Sequence, residues 1–331
     1  MKILYIIGNG LDIALKMKTS YQDFFTYYLA LSSIDKDILA MKEDIESHKY
    51  ETWADLEIGL GLYSSKCANK DVFLKCLTDI KVNLKEYLQK ESQKIYDYRI
   101  SSMASLINPG QFLEPEPRVR YNSFCNHKVI DTHIDIITFN YTNTLEYLLG
   151  FKDYPLRLST SSPPAILHSI QHVHGTLDNM MVMGVNDSSQ ISNTTFNSDL
   201  DVLEDFVKPE FNDACMNNRN SICESMIMDA DIIVLYGSSL GLSDTKWWKL
   251  IGKRMGSDYY PLLMYLPYDE NKNQSVEPNR LRRWTLGYVR EVQNLFEIQI
   301  DENVLASRMC IALNKRLVSI TKSDKAPNKT K

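Results

Sequence analysis

Apolar residues along this chain follow two spacings, and the two divide it into sheet and helix. Residues 3–7 form an unbroken apolar run rich in β-branched side chains, the pattern of a parallel strand buried on both faces. From Tyr21 to about Arg99 the spacing becomes helical. Over residues 71–100, Val72, Leu74, Leu77, Ile80, Leu84, Tyr87 and Leu88 recur at intervals of three and four, which predicts a long helix. Asn108-Pro109-Gly110 and Pro115-Glu116-Pro117 then interrupt the pattern, where helix continuation is not expected. Strand patterns return at 134–139, 166–173, 180–185, 231–235 and 260–266, with helices predicted near 144–149, 200–206, 220–228 and 244–254. The alternation predicts an α/β fold: a doubly wound, mostly parallel, Rossmann-type sheet with an inserted, mainly helical lobe. The expected division is residues 1–20 and 121–320 for the α/β nucleotide-binding domain, 21–120 for the lobe and 321–331 for a disordered tail. The last ten residues carry four lysines and no apolar periodicity.

Composition narrows the classes of function. The 331 residues are 44% hydrophobic, enough for a substantial buried core. A formal charge of -5 offers no general attraction to phosphate backbones, so the sequence gives no support for a nucleic-acid partner. The Arg280, Arg282, Arg283 cluster beside Trp284 reads as a solvated helix face. Six cysteines without CxxC spacing argue against a zinc ribbon and a disulfide scaffold, and fit free thiols in a reducing cytosol. No apolar run approaches the roughly 18 residues of a membrane span, and Met1-Lys2 leads directly into a strand. A soluble, cytoplasmic protein with no membrane partner is expected.

Candidate chemistry collects where apolar runs end. Gly8-Asn9-Gly10 follows the first strand, a spacing that lets backbone amides approach a phosphate, although Ile13 stands where a third glycine would complete GxGxxG. Asp12 sits just beyond, either capping the next helix or facing a cationic part of a ligand. Asn140 ends the strand at 134–139; its amide could satisfy a turn, or fix a carboxamide ring or a water. His168, His172 and His174 lie at even spacing, so one extended strand would turn all three to the same face. Positions six apart in a strand are separated by roughly 20 Å, so at most His172 and His174 could share an ion. A single histidine, His174, with Gly175 opening space beside it, suits a general base. Gly237-Ser238-Ser239 ends another apolar run with hydroxyls that could reach ribose or phosphate, or form an ordinary turn in which Ser243 or Asp244 caps the following helix. Trp53-Ala54-Asp55-Leu56-Glu57 in the lobe combines an aromatic with two carboxylates; a solvated helix face explains it, with a functional role as the alternative.

Six ordered motifs over about residues 3–250 resemble the bacteriophage abortive infection AbiH family: Ile7-Gly8-Asn9-Gly10-Leu11-Asp12, Ser20 to Phe24, Trp53 to Glu57, Phe139 to Thr142, His172 to Gly175, and Gly237 to Asp244. More distantly, their order is similar to SIR2-like NAD-consuming enzymes, with Gly8 to Asp12, Thr138 to Glu146, His174-Gly175 and Tyr236 to Leu240 as the matching segments. That resemblance implies that Asn140 and His174 are the reacting pair. It also implies that Gly8, Asn9, Gly10, Thr138, Gly237, Ser238, Ser239 and Asp244 hold NAD or a related nucleotide. Sirtuin zinc cysteines are absent and Thr142 replaces an aspartate, so protein deacylation does not follow, whereas NAD+ glycohydrolase activity does.

In that reading the glycine and serine loops fix the pyrophosphate while Asn140 orients water or the carboxamide. His174 withdraws a proton, Asp12 adds electrostatic stabilisation, and no metal is expected. A phage-derived trigger and a homo-oligomer are compatible with the family resemblance. Two other classes remain open: a non-catalytic nucleotide sensor that regulates a partner, and a metal-dependent hydrolase or nuclease using His172, His174 and Asp178 or Asp187.

Overall fold

A computed structural model describes residues 1–126, 131–150, 153–159, 164–268 and 278–322. Its strands, among the described residues, are β1 (Lys2–Ile7), β2 (Tyr98–Ser102), β3 (Thr132–Thr138), β4 (Leu156–Arg157), β5 (Ala165–His172), β6 (Ile232–Tyr236), β7 (Leu262–Leu266), β8 (Met309–Ile311) and β9 (Ser319–Lys322). Seven form one sheet in the order β4-β5-β3-β1-β6-β7-β8, while β2 and β9 pair as a separate antiparallel ribbon. Every pairing in the large sheet is parallel except that of β4 with β5 at one edge. Counted along the chain, the parallel strands lie in the order 3-2-1-4-5-6, that of doubly wound dinucleotide-binding sheets. The order reverses between β1 and β6, where such sheets form their ligand crevice.

The unbroken apolar runs follow from burial on both faces. Ile3, Tyr5 and Ile7 of β1 pack with Tyr121, Leu145 and Leu148 on one side, whereas Leu4 and Ile6 pack with Trp248, Ile251 and Val292 on the other. A third core belongs to the helical region. Phe24, Phe25, Trp53, Leu60, Phe73 and Ile80 pack there with Met183, Val185 and Phe206, which arrive from much later in the chain.

Several expected boundaries move. The long helix is Lys70–Ser92; the chain then makes a 3-10 turn at Gln93–Asp97 and continues as β2, so the last residues of the 71–100 pattern are strand. Pro115 and Pro117 do not break a helix but stand in the first turn of helix Pro115–Asn126, where a missing N–H costs nothing. Residues 180–185 are not a strand. They are apolar because they pack on the helical core, and only Val185 makes a bridge, to Val207. Ile95, Leu106, Phe112 and Tyr121 pack on the sheet rather than in the helical core. Thr321 and Lys322 belong to β9, and the rest of the expected tail, 323–331, lies outside the described residues. Arg282 and Arg283 are exposed on helix Pro278–Leu295. Among the described residues no helix is long and apolar enough to cross a membrane.

Candidate functional site

The loops leaving β1 and β6 touch backbone to backbone. Gly8 N–H donates to the Tyr236 carbonyl at 2.9 Å and Gly10 N–H donates to the Gly237 carbonyl at 2.7 Å. A Cβ on Gly10 would stand 2.4 Å from Gly237 Cα, and Gly237 itself has φ +59°. Glycine is therefore required here for the approach of one loop to the other, and the Gly10 amide is already engaged. A cavity of about 560 Å³ opens over this floor, within the range of small-molecule sites.

Gly8, Asn9, Gly10, Asp12, Asn140, His174, Gly237, Ser238, Ser239 and Asp244 all line the cavity, joined by Tyr21, Asp55 and Glu57 from the helical region. Thr138 does not. Its hydroxyl accepts the Asn140 N–H at 3.1 Å and shapes the turn after β3. The Asn9 side chain is also committed, donating to the Thr19 carbonyl at 2.9 Å and accepting from the Thr19 hydroxyl at 2.6 Å. Ser238 Oγ accepts the Leu240 N–H at 3.1 Å, which leaves Ser239 as the exposed hydroxyl of its loop. Asn140 Nδ2 donates to the Gly8 carbonyl at 3.2 Å, tying the loop after β3 to the loop after β1.

The three histidines part company. The pairing of β3 with β5 shifts register between Leu167 and Ser169, so the alternation that would align the imidazoles breaks at His168. His168 pairs with His133 at 2.8 Å on the exposed surface. His172 meets the Asn140 carbonyl through Nδ1 at 2.8 Å and Glu146 through Nε2 at 2.6 Å, and it does not line the cavity. His174 follows the end of the strand, stacks on Phe139 with ring centroids 5.4 Å apart, and meets Asp244 Oδ1 through Nε2 at 2.8 Å. Gly175 leaves no opening beside it: at φ +70°, a Cβ would fall 1.9 Å from the Met180 carbonyl oxygen. Among the described residues no group of three or more His, Cys, Asp or Glu side chains is arranged to hold a metal.

Asp244 stands at the N-cap position of helix Thr245–Met255 without capping it. Its carboxylate is drawn instead into a buried charged network. Lys208 Nζ donates to Asp244 Oδ1 at 2.9 Å, to Glu57 Oε2 at 2.9 Å and to the Ser243 carbonyl at 3.0 Å. Glu57 Oε1 accepts the Gly184 N–H at 3.1 Å. Burial opposes ionisation of Asp244, but the Lys208 ammonium and the His174 imidazole outweigh it and hold the carboxyl well below its ordinary range. Burial pushes Glu57 upward against the pull of Lys208. For Lys208, burial alone would favour the neutral amine, yet its two carboxylates keep it protonated. An ionised Asp244 can only accept, so His174 Nε2 carries the proton and Nδ1 is the nitrogen with a lone pair in the neutral ring.

Asp12 lies in helix Gly10–Ala14 and caps nothing. Oδ2 accepts the Thr142 hydroxyl at 2.7 Å, while Oδ1 is buried without a partner. Burial raises this carboxyl to about 6, against the Thr142 hydrogen bond and the nearby Thr144 hydroxyl. Together with Asp55, Glu57, Asp244 and Glu291, it makes the lining acidic, and among the described residues no lysine or arginine lines the cavity.

Lys208 is the residue that sequence reasoning missed, and Glu57 is the one it read as solvated. Val207-Lys208-Pro209 looks like an ordinary helix start, and nothing local marks the lysine as buried. The family model described as bacteriophage abortive infection AbiH matches residues 4–265, a span that contains every residue of the charged network. No curated protein and no solved structure matches the chain.

Proposed function

The chain belongs to the bacteriophage abortive infection AbiH family, and from that premise we propose that it cleaves the nicotinamide–ribose bond of NAD+ during phage infection. The observation that carries this reading is the His174–Asp244 pair, a buried imidazole held by an ionised carboxylate on the wall of a cavity at the switch point of the sheet.

The acidic lining supports a ligand with a cationic ring. Asp12, whose Oδ1 lacks a protein partner, would lie toward the pyridinium and toward the positive charge that spreads onto the ribose as the bond breaks. With no lysine or arginine among the described residues of the wall, the pyrophosphate would rely on main-chain amides of the loops after β1 and β6 and on the Ser239 hydroxyl. Asn140 would orient the carboxamide or the attacking water. As the glycosidic C–N bond breaks, its electron pair returns to the pyridine nitrogen and nicotinamide leaves neutral. Water adds to the anomeric carbon, His174 Nδ1 takes the water proton, and Asp244 stabilises the imidazolium that forms.

Incubation of purified protein with NAD+, followed by chromatography, should yield nicotinamide and ADP-ribose in equal amounts. Cells expressing the wild type should lose NAD during phage challenge, while Asn140→Ala and His174→Ala cells at equal expression should keep it and lose protection. Protection retained by both variants with NAD unchanged would remove hydrolysis and leave a nucleotide sensor in its place.

A further inference from the structure

Four ionisable side chains form an unbroken buried line from the helical region to the candidate base. Glu57, in helix Leu56–Tyr63, meets Lys208 at 2.9 Å; Lys208 meets Asp244 at 2.9 Å; Asp244 meets His174 at 2.8 Å. Glu57, Lys208 and His174 are all buried, and Glu57 stands 151 positions from Lys208 along the chain. Packing alone does not call for such a line, because apolar side chains of similar volume would fill the space without desolvating charges.

We propose that Lys208 and Glu57 are positioning residues that hold Asp244 in place to orient His174, so that the register of the helical region on the sheet fixes the imidazole. The inference rests on the catalytic reading of His174 given above, and extends it to residues that act through Asp244 rather than on the reacting atoms.

Geometry supports it at each link. Asp244 Oδ1 is shared between His174 Nε2 and Lys208 Nζ, so losing the ammonium frees the oxygen that steers the ring. Lys208 cannot hold the carboxylate from an arbitrary place, since its three donors are directed by Glu57, Asp244 and the Ser243 carbonyl. Glu57 in turn is set by the Gly184 N–H at 3.1 Å and the Tyr141 hydroxyl at 3.4 Å. The single Tyr141 hydroxyl proton is shared with the nearer Val182 carbonyl at 3.0 Å, and Val182 N–H donates to the His174 carbonyl at 2.8 Å. The imidazole and its backbone are thus reached by two routes from the same glutamate.

The test reads the ring directly and does not require turnover. In full-length protein with ring-15N-labelled histidine, the His174 Nε2–H signal is assigned by its loss in His174→Gln. Wild type should show it far downfield and slow to exchange, as a buried imidazole donating to a carboxylate. Lys208→Met should shift it upfield or lose it to exchange. Glu57→Gln, which removes the negative charge behind the Lys208 ammonium and leaves one oxygen for the two donors that met the carboxylate, should shift it by a smaller amount in a chain of nearly unchanged shape. If Lys208→Met does not fold, Glu57→Gln alone decides. An unaltered His174 signal in a folded variant overturns the positioning role. NAD+ binding and cleavage are measured on the same samples. A wild type that neither binds nor cleaves NAD+ while the ring signal still responds would overturn the hydrolase reading and leave the relay intact. Cleavage by wild type with an indifferent ring signal would do the reverse.

Discussion

His172 and His174 are two residues apart, and each meets a carboxylate through Nε2, yet their surroundings give them opposite parts. His172 is the last residue of β5, and its other nitrogen is taken by the Asn140 carbonyl, so both ends of the ring are engaged in holding the loop after β3. His174 lies beyond the strand, with a buried ion network behind its carboxylate and a cavity beside the ring. The lesson is that a carboxylate–imidazole pair is not a catalytic signature by itself. What the second nitrogen meets decides whether the ring supports a loop or stays available to a substrate.

The largest effect expected from this contrast is on turnover. His174→Ala should lower NAD+ cleavage by about 100- to 10,000-fold, the usual contribution of a general base, while His172→Ala should remain within about tenfold of wild type, as a loop-support change of order 1 kcal/mol allows. Steady-state release of nicotinamide measures both, and comparable losses in the two variants would erase the distinction.

A second test uses Asp12, which lies near His172 and Glu146 but lines the cavity with His174. Its carboxyl stands at about 6 in the fold against an ordinary 3.8, so between those values the folded state keeps a proton that the unfolded chain has released. Stability contributed by this group therefore falls as pH rises through the window, leaving a penalty on the order of 3 kcal/mol above it. Asp12→Asn should be the more stable protein at neutral pH, and should lose that advantage below the ordinary carboxylate range. Denaturant midpoints at the two pH values check it; the same variant should cleave NAD+ poorly, since it gains stability by discarding the charge.

The smallest effect concerns support. His172→Ala leaves the Asn140 carbonyl and Glu146 without their imidazole, a change worth about 1–2 kcal/mol in unfolding free energy. Calorimetry should show the lower melting temperature in His172→Ala while His174→Ala, with its cavity-facing ring, shows less. A reversed order would mean that the charged network behind His174 is the greater structural support.

The sheet was legible from sequence where burial on both faces makes apolar runs continuous, as in β1, β6 and β7, and less directly in β3 and β5, where β-branched residues alternate with polar ones. The same logic misread 180–185, because an extended segment pressed against helices is as apolar as a strand, and only pairing tells them apart. The short edge strands β4 and β8 and the β2–β9 ribbon leave too few residues for a period to register. Among site residues, the loop glycines and His174 were visible because turn chemistry and strand ends are local. Lys208 was not, since its partners stand 151 and 36 positions away along the chain. The bulge at His168 was equally invisible; it set His168 apart, and the end of β5 at His172 separated the other two imidazoles.

The backbone contact between Gly10 and Gly237 also has an evolutionary consequence. A Cβ at Gly10 would strike Gly237 Cα at 2.4 Å, and a Cβ at Gly237 would strike Gly10 Cα at 2.7 Å. Neither residue has a side chain to shrink in compensation, so a change at one cannot be rescued by a change at the other. The two positions form a pair without an escape route through single substitutions, and saturation mutagenesis with selection for folded protein should find both sites intolerant, with no second-site suppressor at the opposite glycine.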